Sequence, residues 1–511
     1  AGPACQNPKC SNFGLEVASH PHQYHVHGKT KSGSPRWRCK ACRRSVTLKK
    51  VGRTQHTTHE NLNIFRLLVL KNPIRSIIKF TQLNPKVVYD KIDIIHRQCV
   101  AFAADRERDL LEMEFSSLFI SCDRQDYMVN WSNSEDKRVT QLTAIASADN
   151  ISGYVFGHHV NFDPDHEQVD IRRAARECGD FKIVEPAFRR FARLWLEEEM
   201  KQAAKRDPGL DFPPPPEEGG VEHLIDARSA EMAAVPDPEA LERVFESSRT
   251  PKTGMQVHFE YTVHAHFRLL SKLLVGARKL RFYTDQDDTI RSAILNAFKW
   301  PVIEGRVEAF FVRIDKSLDV HSREALVQKS AKVINETRKA LDLPMATDHE
   351  IVMHLVALEL RRMAKNPAAK HWRDRWLYFP ISTMHEPDKA VCHITTRADY
   401  DLDDPDTVWW LAKLYSRASL HAIDRYFMQV RRLISLLERP ISTPSNVGKV
   451  WRGYGPYNPR MVQKLLDIFR VVYNYVELDP ARRRKEAPTP AMKLGLAKGY
   501  VRLDGILYFE P

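Results

Sequence analysis

Two tight cysteine pairs near the start of the chain have the spacing of a metal site. Cys5 and Cys10 form a C-x4-C pair, and Cys39 and Cys42 form a C-x2-C pair. Two such pairs, separated by a spacer of this length, fold a short segment around one tetrahedral zinc ion. Because the segment is too short to bury a useful core, the metal would supply its folding energy. The sequence therefore predicts one structural zinc ion per chain, in a zinc ribbon.

Two other uses of these cysteines are open. They could form two disulfide bonds, but single, scattered cysteines elsewhere in a chain are typical of a reducing compartment. The scattered cysteines are Cys99, Cys122, Cys178 and Cys392. Histidines inside the spacer could also replace a cysteine as a zinc ligand, although surface positions on a hairpin are the favoured interpretation. These histidines are His20, His22, His25 and His27.

Carboxylates at the ends of two predicted strands form a second candidate metal site. Asp123 stands at the end of the apolar run SLFISC, and Asp285 directly follows LRFYT. Hard oxygen ligands bind Mg²⁺, and two such ions about 3.5–4 Å apart can activate an attacking oxygen and stabilise a leaving one at phosphorus. Each acid alone is also typical of a turn or cap. Asp287 and Asp288 compete with Asp285, and Asp288 is the expected N-cap of the next helix.

A third acid is expected on a helix that packs near these strand ends. Asp424 shares one helix face with Phe427 and Arg431, since steps of three and four residues bring side chains to one side. An aspartate beside apolar residues on such a face is the favoured candidate. Glu336 in VINETRKAL is the alternative third acid, followed by Glu359 in ALELRRM.

The elements that must position these acids follow from the hydrophobic pattern. Three runs are typical of strands in an antiparallel meander: SSLFISCDRQDYMVNW, VTQLTAIASADN and ISGYVFGHHVNF. A strand (RKLRFYTDQDD), a helix (DTIRSAILNAFKW) and another strand (RVEAFFVRID) come later. This order predicts a mixed sheet flanked by helices, within an α/β multidomain chain.

Residues 58–112 are predicted to be helical and to form a helix-turn-helix. Short Asn-Pro connections separate three helical runs, and the third would be the recognition helix. A plain three-helix packing unit is the alternative. The side chains offered to a DNA groove would be Lys86, Tyr89, Lys91, His96 and Arg97.

The charge balance favours a nucleic-acid partner. The formal net charge is +13, and residues 1–54 hold 11 Lys or Arg against a single acid, Glu16. Clustered cations around a zinc ribbon are typical of a surface that binds a polyanion. No apolar run approaches the length of a membrane span, and no signal peptide is expected. The candidate DNA contacts here are Arg36, Arg38, Lys40, Arg43, Arg44, Lys49 and Lys50.

Taken together, these features resemble the insertion-sequence transposases of the DDE/DDD type, which have an RNase H-like catalytic core. The shared order is a ribbon ending RWRCKACRRSVT, a helix-turn-helix, a strand with Asp123, a strand ending YTD, and the helix DRYFMQVRRLISLLERP. The tail, from YNPRMVQKLLDIFRVVYNYV to TPAMKLGLA, is also similar to the closing segment of such enzymes. The third acid is more often Glu in the wider superfamily, so Asp424 is a departure.

The resemblance implies a mechanism and a set of partners. Asp123, Asp285 and a third acid would hold two Mg²⁺ ions; water would hydrolyse the phosphodiester at a transposon end, and the freed 3′-OH would attack target DNA. The ribbon and helix-turn-helix would bind terminal inverted repeats, and acting on two ends requires at least a homodimer. A prokaryotic, cytoplasmic and nucleoid-associated protein is implied. The alternatives are a DNA-binding regulator with an inactive RNase H-like domain, or a nuclease that cuts without joining.

The predicted domains follow the same order along the chain. The ribbon takes 1–54 and the helix-turn-helix 55–112. Two mainly helical insertions are expected at 164–275 and 318–415. The RNase H-like core is predicted in three parts, at 113–163, 276–317 and 416–442, and a C-terminal helix with a basic tail that ends extended is predicted at 443–511.

Overall fold

The structure, a computed structural model of the 511-residue chain, consists of two compact units. One unit joins residues 1–106 with 501–511, and the other holds residues 107–500. The structure describes residues 4–5, 7, 9–13, 15–17, 19–29, 35–47, 58–130, 135, 138–183, 188–203, 222, 225–226, 249–364, 375–395, 400–438, 455–476 and 488–510.

The N-terminal segment forms a small antiparallel sheet. Its strands, in the order β1-β2-β3, are Tyr24–Lys29, Pro35–Cys39 and Ser45–Thr47. Tyr24 is buried beside the cysteines, where its hydroxyl donates to the carbonyl of Leu15 at 2.5 Å. Val17 and Val46 complete a small apolar cluster with buried Cys5 and Cys39. This cluster contains few buried side chains, which agrees with the expectation that the segment needs a further source of folding energy.

Three helices follow the ribbon at the predicted place. They are α1 (Glu60–Leu68), α2 (Ile74–Thr81) and α3 (Pro85–Glu107). Gln82 ends α2 in the left-handed region at φ 54°, which turns the chain toward α3. The side chain of Asn84 then accepts a hydrogen bond from the backbone N–H of Lys86 at 2.9 Å and so caps the first turn of α3.

The end of the chain completes this helical unit, where the sequence predicted an extended tail. Residues Leu503–Leu507 form a C-terminal helix that packs against α1. Ile506 and Leu507 are buried there, and the ring of Phe509 meets Phe102 edge to face at 5.3 Å. The prediction was wrong because a single helical turn with two apolar residues gives almost no periodic signal.

A seven-stranded mixed sheet lies at the centre of residues 107–500. Its order is β11-β12-β10-β9-β4-β5-β6. The strands β4, β5 and β6 form the predicted antiparallel meander, while β9 and β10 run parallel to β4. A separate two-stranded sheet pairs β7 with β8. In chain order these strands are Leu118–Val129 (β4), Thr140–Asp149 (β5), Val155–Val160 (β6), Phe162–Asp163 (β7), Met255–Gln256 (β8), Leu280–Thr284 (β9), Val307–Arg313 (β10), Trp376–Tyr378 (β11) and Ala390–His393 (β12).

Helices cover both faces of this sheet. Among the described residues, the helices of this unit are Gln168–Cys178 (α4), Glu197–Ala203 (α5), Phe259–Leu273 (α6), Asp288–Ala297 (α7), Lys299–Ile303 (α8), Val320–Ala340 (α9), Asp348–Ala364 (α10), Pro405–Arg417 (α11), His421–Leu433 (α12), Pro459–Tyr475 (α13) and Pro490–Leu494 (α14). Short 3₁₀ turns lie at Pro21–Gln23, Arg108–Leu111, Asp180–Lys182 and Ser435–Leu437.

Contacts to successive residues of β4 and β5 show which helix covers which face. Ser147 of β5 contacts His266 of α6, with Ser147 Oγ and His266 Nε2 2.6 Å apart. Ser121 of β4 accepts a hydrogen bond from the backbone N–H of Ile423 in α12 at 3.2 Å. Ser147 is paired with Cys122, the neighbour of Ser121, and successive strand residues point to opposite faces. The helices α6 and α12 therefore cover opposite sides of the sheet.

Two segments predicted to be insertions contribute to this central unit. The helix α6 lies within 164–275 but packs against β5, β6 and α7. Strands β11 and β12 lie within 318–415 and extend the sheet beside β10. The chain therefore builds one edge of its main sheet from the second of these segments.

Candidate functional site

The four N-terminal cysteines come together as the spacing predicted. Their sulfur atoms all lie within 4.8 Å of one another. Cys5 and Cys42 have Sγ atoms 3.5 Å apart, and those of Cys10 and Cys39 are 3.7 Å apart. All four are free thiols, so the disulfide alternative is excluded in this structure. Zn–S bonds of about 2.3 Å in tetrahedral geometry place sulfur atoms about 3.8 Å apart, so the four residues fit one zinc ion.

Hydrogen bonds around the second pair favour the thiolate form that zinc requires. Burial opposes ionisation of Cys39, but hydrogen bonds from the backbone N–H groups of Cys42 and Ala41 and from the Asn12 side chain lower its pKa to about 6. The Asn12 amide lies 3.3 Å from Cys39 Sγ. Burial instead raises the pKa of Cys5 to about 12, although a backbone N–H lowers it in part. A bound cation would deprotonate the set as a whole.

The histidines of the spacer do not join this cluster. Among the residues that the structure describes, the four cysteines are the group that meets the metal-ligand spacing. His22, His25 and His27 are exposed on or beside β1. His20 is half-buried. Their exposure is consistent with surface positions, and the four cysteines form the candidate ligand set.

Most of the predicted basic contacts of the ribbon are exposed. Arg38, Lys40, Arg43 and Arg44 lie at the surface around the second cysteine pair, and Arg36 is half-buried. The guanidinium of Arg38 also donates to the carbonyl oxygen of Arg43 at 2.9 Å, which fixes its position. Lys49 and Lys50 lie outside the described residues.

One of the predicted groove contacts on α3 is wrong. Lys86, Tyr89 and Arg97 are exposed and so remain candidates for DNA contact. Lys91 is 2% exposed, and its ammonium donates to the side-chain oxygen of Asn61 in α1 at 2.5 Å. Burial lowers the pKa of Lys91. This lysine therefore ties two helices together and cannot reach a DNA groove.

Strand register places Asp123 and Asp285 side by side. The parallel strands β4 and β9 are paired as far as Cys122 and Thr284, which stand opposite each other. Asp123 and Asp285 are the next residues on the two strands, and neighbouring strands lie about 4.8 Å apart. Asp123 is not at a strand end, because β4 continues to Val129 and pairs with β5 there. It instead marks the point where β4 loses β9 as a neighbour.

The environment of Asp123 disfavours its charge. Burial raises the pKa of this carboxyl to about 7; Lys316 acts against that rise, and Asp424 and Asp285 add repulsion. The backbone N–H of Arg124 donates to Asp123 Oδ1 at 2.8 Å. Neighbouring carboxylates whose mutual repulsion raises their pKa values are often found where a protein binds a cation.

The helix α12 places Asp424 near the same strand edge. Its N-terminal turn docks on β4 through the hydrogen bond from Ile423 to Ser121. The ring of Tyr426 packs against His158 of β6, with the hydroxyl 3.0 Å from Nδ1. Asp424 Oδ1 lies 3.9 Å from the ammonium of Lys316. The third predicted acid is thus on a helix anchored to the strand that carries the first.

Electrostatic coupling links Asp424 to the other two acids. Burial raises the pKa of Asp424, Lys316 and Arg431 lower it, and repulsion from Asp285 raises it further. The alternative third acid, Glu336, is exposed on α9 and is not among the groups that act most strongly on Asp123 or Asp424. The electrostatic interactions of Asp424 with Asp123 and Asp285 therefore favour it over Glu336 as the third acid.

The cap of the helix after Asp285 is Asp287 rather than the expected Asp288. The Asp287 carboxylate accepts hydrogen bonds from the backbone N–H groups of Thr289 and Ile290 at 2.9 and 3.2 Å. Asp288 is the first residue of α7 and pairs with Arg291 one turn on, at 2.5 Å. Both acids are therefore used locally, which leaves Asp285, of the three, as the candidate for a site shared with Asp123.

An open cavity of about 460 Å³ lies at this edge of the sheet. Its lining includes Asp123, Asp285 and Lys316, together with Arg124 and Asp126 of β4. The sequence analysis missed Lys316 and Asp126. Lys316 follows the end of β10, the third parallel strand, and that position was the available signal.

Asp123, Asp285 and Asp424 offer suitable ligand oxygens for a divalent cation, but their side chains do not converge on one point. Carboxylate oxygens are the ligands that Mg²⁺ takes. The carboxylate oxygens of Asp123, Asp285 and Asp424 do not all lie within 4.8 Å of one another. Among the described residues, the sulfur atoms of the four cysteines do meet that spacing. Binding a cation here would require the side chains to converge.

Comparison with known proteins identifies no relative. A scan against protein-family models finds no match, and no curated protein sequence is significantly similar to this chain. Within the described part of the chain, no helix is both long and apolar enough to cross a membrane.

Proposed function

We propose that this protein is a DNA transposase of the DDE/DDD type, which binds transposon ends and cuts and joins DNA with Mg²⁺. One observation carries the proposal. Asp123 and Asp285 are neighbours at the point where two parallel strands part, and the helix that bears Asp424 is docked on the first of those strands. Acids far apart in sequence therefore influence one another's charge, and two of them, Asp123 and Asp285, line one cavity.

The sheet supports an RNase H-like core for this site. The strands β4, β5 and β6 form an antiparallel meander. Strand β9, helix α7 and strand β10 follow, with β9 beside β4 and β10 beside β9. The strand with Asp123 and the strand ending YTD, on which the resemblance to the transposases partly rests, are neighbours in this sheet. The strands β11 and β12 would then be an extension of this core on the side of β10.

Each acid would have a defined part in the reaction. Mg²⁺ bound at this edge would activate the attacking oxygen and stabilise the leaving oxygen at phosphorus. Asp123 and Asp285 are held by rigid parallel strands, so they would fix the position of the site. Asp424 would close it from α12. Catalysis would rest on placement and electrostatics, with no covalent link between protein and DNA.

The N-terminal unit would dock the DNA end. Arg38, Lys40 and Arg44 are exposed around the zinc cluster, and Lys86 and Arg97 are exposed on α3. Contacts from such side chains to phosphates set the register, while base contacts from α3 would choose the sequence. Because two ends react together, the active form would be at least a homodimer.

Replacing Asp123 by Asn tests the proposal directly. A duplex bound by the protein is first selected from a random-sequence library, and strand cleavage in Mg²⁺ is then followed on that duplex. We expect Asp123→Asn to abolish cleavage in Mg²⁺ and to leave duplex binding without divalent cations unchanged, because the proposed docking contacts lie on the N-terminal sheet and α3. The control is Asp170→Asn, an exposed acid on α4 outside the cavity lining.

The outcomes separate the proposal from its alternatives. Cleavage that survives in Asp123→Asn would show that the site is elsewhere. A protein that binds its duplex but never cuts it in Mg²⁺ would be a regulator with an inactive core. Pre-cut duplex ends incubated with a plasmid decide the remaining case, because a nuclease would give no joined product.

A further inference from the structure

Lys316 occupies a place in the cavity that the three-acid mechanism does not use. It lies three residues after the end of β10, whose residue Phe311 stands beside Thr284 of β9. The loop therefore leaves the sheet at the same edge as Asp123 and Asp285 and lines the same cavity. A cation is thus built into the acid-bearing edge by the fold itself.

The backbone of this loop is fixed while the lysine side chain is not. The carboxylate of Asp315 accepts hydrogen bonds from the backbone N–H and the hydroxyl of Ser317, at 2.9 and 2.6 Å. The guanidinium of Arg323 donates to the carbonyl oxygens of Lys316 and Leu318, at 3.1 and 2.9 Å. The Lys316 side chain itself is 56% exposed and forms a long ion pair with Asp424 at 3.9 Å. Such an exposed pair is weak and exchanges easily.

The other cation of the cavity lining is already engaged. Arg124 pairs with Asp287 at 3.1 Å, and Asp287 in turn caps α7. Moving Arg124 would therefore disturb a helix cap. Lys316 is paired instead with Asp424, one of the acids that would bind a divalent cation. When that happens, the ammonium loses its partner and is left facing an open cavity.

We propose that Lys316 is a phosphate-binding residue of this cavity: it contacts Asp424 when no divalent cation is present and a non-bridging phosphate oxygen of DNA when one is bound. This inference rests on the proposed function and names the ligand group of that same site, a DNA phosphodiester. A lysine serves because it acts as a flexible point charge on a four-carbon stem. The exchange would couple cation binding to DNA seating.

The salt dependence of DNA binding tests this exchange. The selected duplex is bound to wild type and to Lys316→Met over a KCl series, once with Ca²⁺ and once without divalent cations. Each phosphate contact contributes about 0.9 to the slope of log K against log salt for B-DNA. With Ca²⁺ we expect the Lys316→Met slope to be smaller by about 0.9, and without it we expect equal slopes. A purely structural lysine would not give a cation-dependent change.

Two further variants sharpen the comparison. Lys316→Arg keeps a phosphate-binding cation and should retain the wild-type slope in Ca²⁺. Lys272→Met removes an exposed lysine on α6, which covers the opposite face of the sheet. Its slope should change with Ca²⁺ as the wild-type slope does. Equal slopes for wild type and Lys316→Met in Ca²⁺ would overturn the inference, and so would the same slope loss with and without Ca²⁺.

A separate measurement shows whether the proposed function has failed instead. Mn²⁺ binding to the zinc-loaded protein is followed by electron paramagnetic resonance in wild type and Asp123→Asn. If Asp123→Asn binds Mn²⁺ as wild type does, the carboxylate metal site is wrong and the proposed function fails. If Mn²⁺ binding depends on Asp123 but the Lys316→Met slope matches wild type in Ca²⁺, the inference on Lys316 alone fails.

Discussion

Replacing Asp123 by Asn should stabilise the protein at neutral pH when no divalent cation is bound. Burial raises the pKa of this carboxyl from its ordinary 3.8 to about 7, and repulsion from Asp424 and Asp285 contributes. The folded protein thus disfavours the charged form that the unfolded chain tolerates. Asn removes the charge and keeps an oxygen that can accept the hydrogen bond from the backbone N–H of Arg124.

The size of the effect follows from linkage between protonation and folding. Because the folded pKa is the higher one, this carboxyl costs no stability below about pH 4 and an increasing amount as the pH rises toward 7. The change from 3.8 to about 7 corresponds to at most about 4 kcal/mol at about 1.36 kcal/mol per pH unit. Since the carboxylate of Asp123 keeps part of its surface in water, we expect a gain of about 1–3 kcal/mol at pH 8.

Urea denaturation in buffer freed of divalent cations measures this gain. The free energy of unfolding is compared between wild type and Asp123→Asn at pH 5 and pH 8, and the gain should be clearly larger at pH 8. Asp126→Asn serves as the control, because the exposed Asp126 already accepts a hydrogen bond from the Thr143 hydroxyl at 2.8 Å. Its effect should stay within about 0.5 kcal/mol. A variant no more stable than wild type at pH 8, or a gain that does not change with pH, would refute the reasoning.

Three further outcomes are expected. Cys39→Ser should remove the tightly held zinc, seen by metal analysis, and unfold the ribbon, seen by proteolysis of residues 1–47. Lys91→Met should lower the stability of the helical unit in thermal denaturation without changing the salt slope of DNA binding, whereas Lys86→Met should lower that slope by about 0.9. Truncation after Tyr500 should destabilise the helical unit by about 3–6 kcal/mol in urea denaturation, since it removes two buried aliphatic side chains at about 1.5–3 kcal/mol each.

The main elements of the fold could be predicted because their patterns are long and regular. The meander, the later strand-helix-strand and the three helices before them all occur where periodicity placed them. The cysteine cluster was equally predictable, since the ligand type and spacing of a zinc ribbon are local properties of the sequence. The pairing of β4 with β9, and so the adjacency of Asp123 and Asp285, is a consequence of topology that the strand ends only suggested.

The features that could not be predicted from the sequence depend on contacts between distant segments. Lys91 is polar and lies on a helix, so nothing local distinguishes it from a surface lysine; its burial arises from packing of α3 on α1. Lys316 became significant through its 3.9 Å contact with Asp424, over a hundred residues away. The choice between Asp287 and Asp288 as a cap depended on a helix boundary, which local patterns define only to within a residue or two.

The central claim is that Asp123, Asp285 and Asp424 together bind catalytic divalent cations. Mn²⁺ titration of the zinc-loaded protein, followed by electron paramagnetic resonance, tests it most directly in wild type, the three single Asp→Asn variants and Glu336→Gln. We expect two bound Mn²⁺ ions per chain in wild type and Glu336→Gln, and loss of Mn²⁺ binding in each of the three Asp→Asn variants. Wild-type binding in Asp424→Asn together with a loss in Glu336→Gln would contradict it.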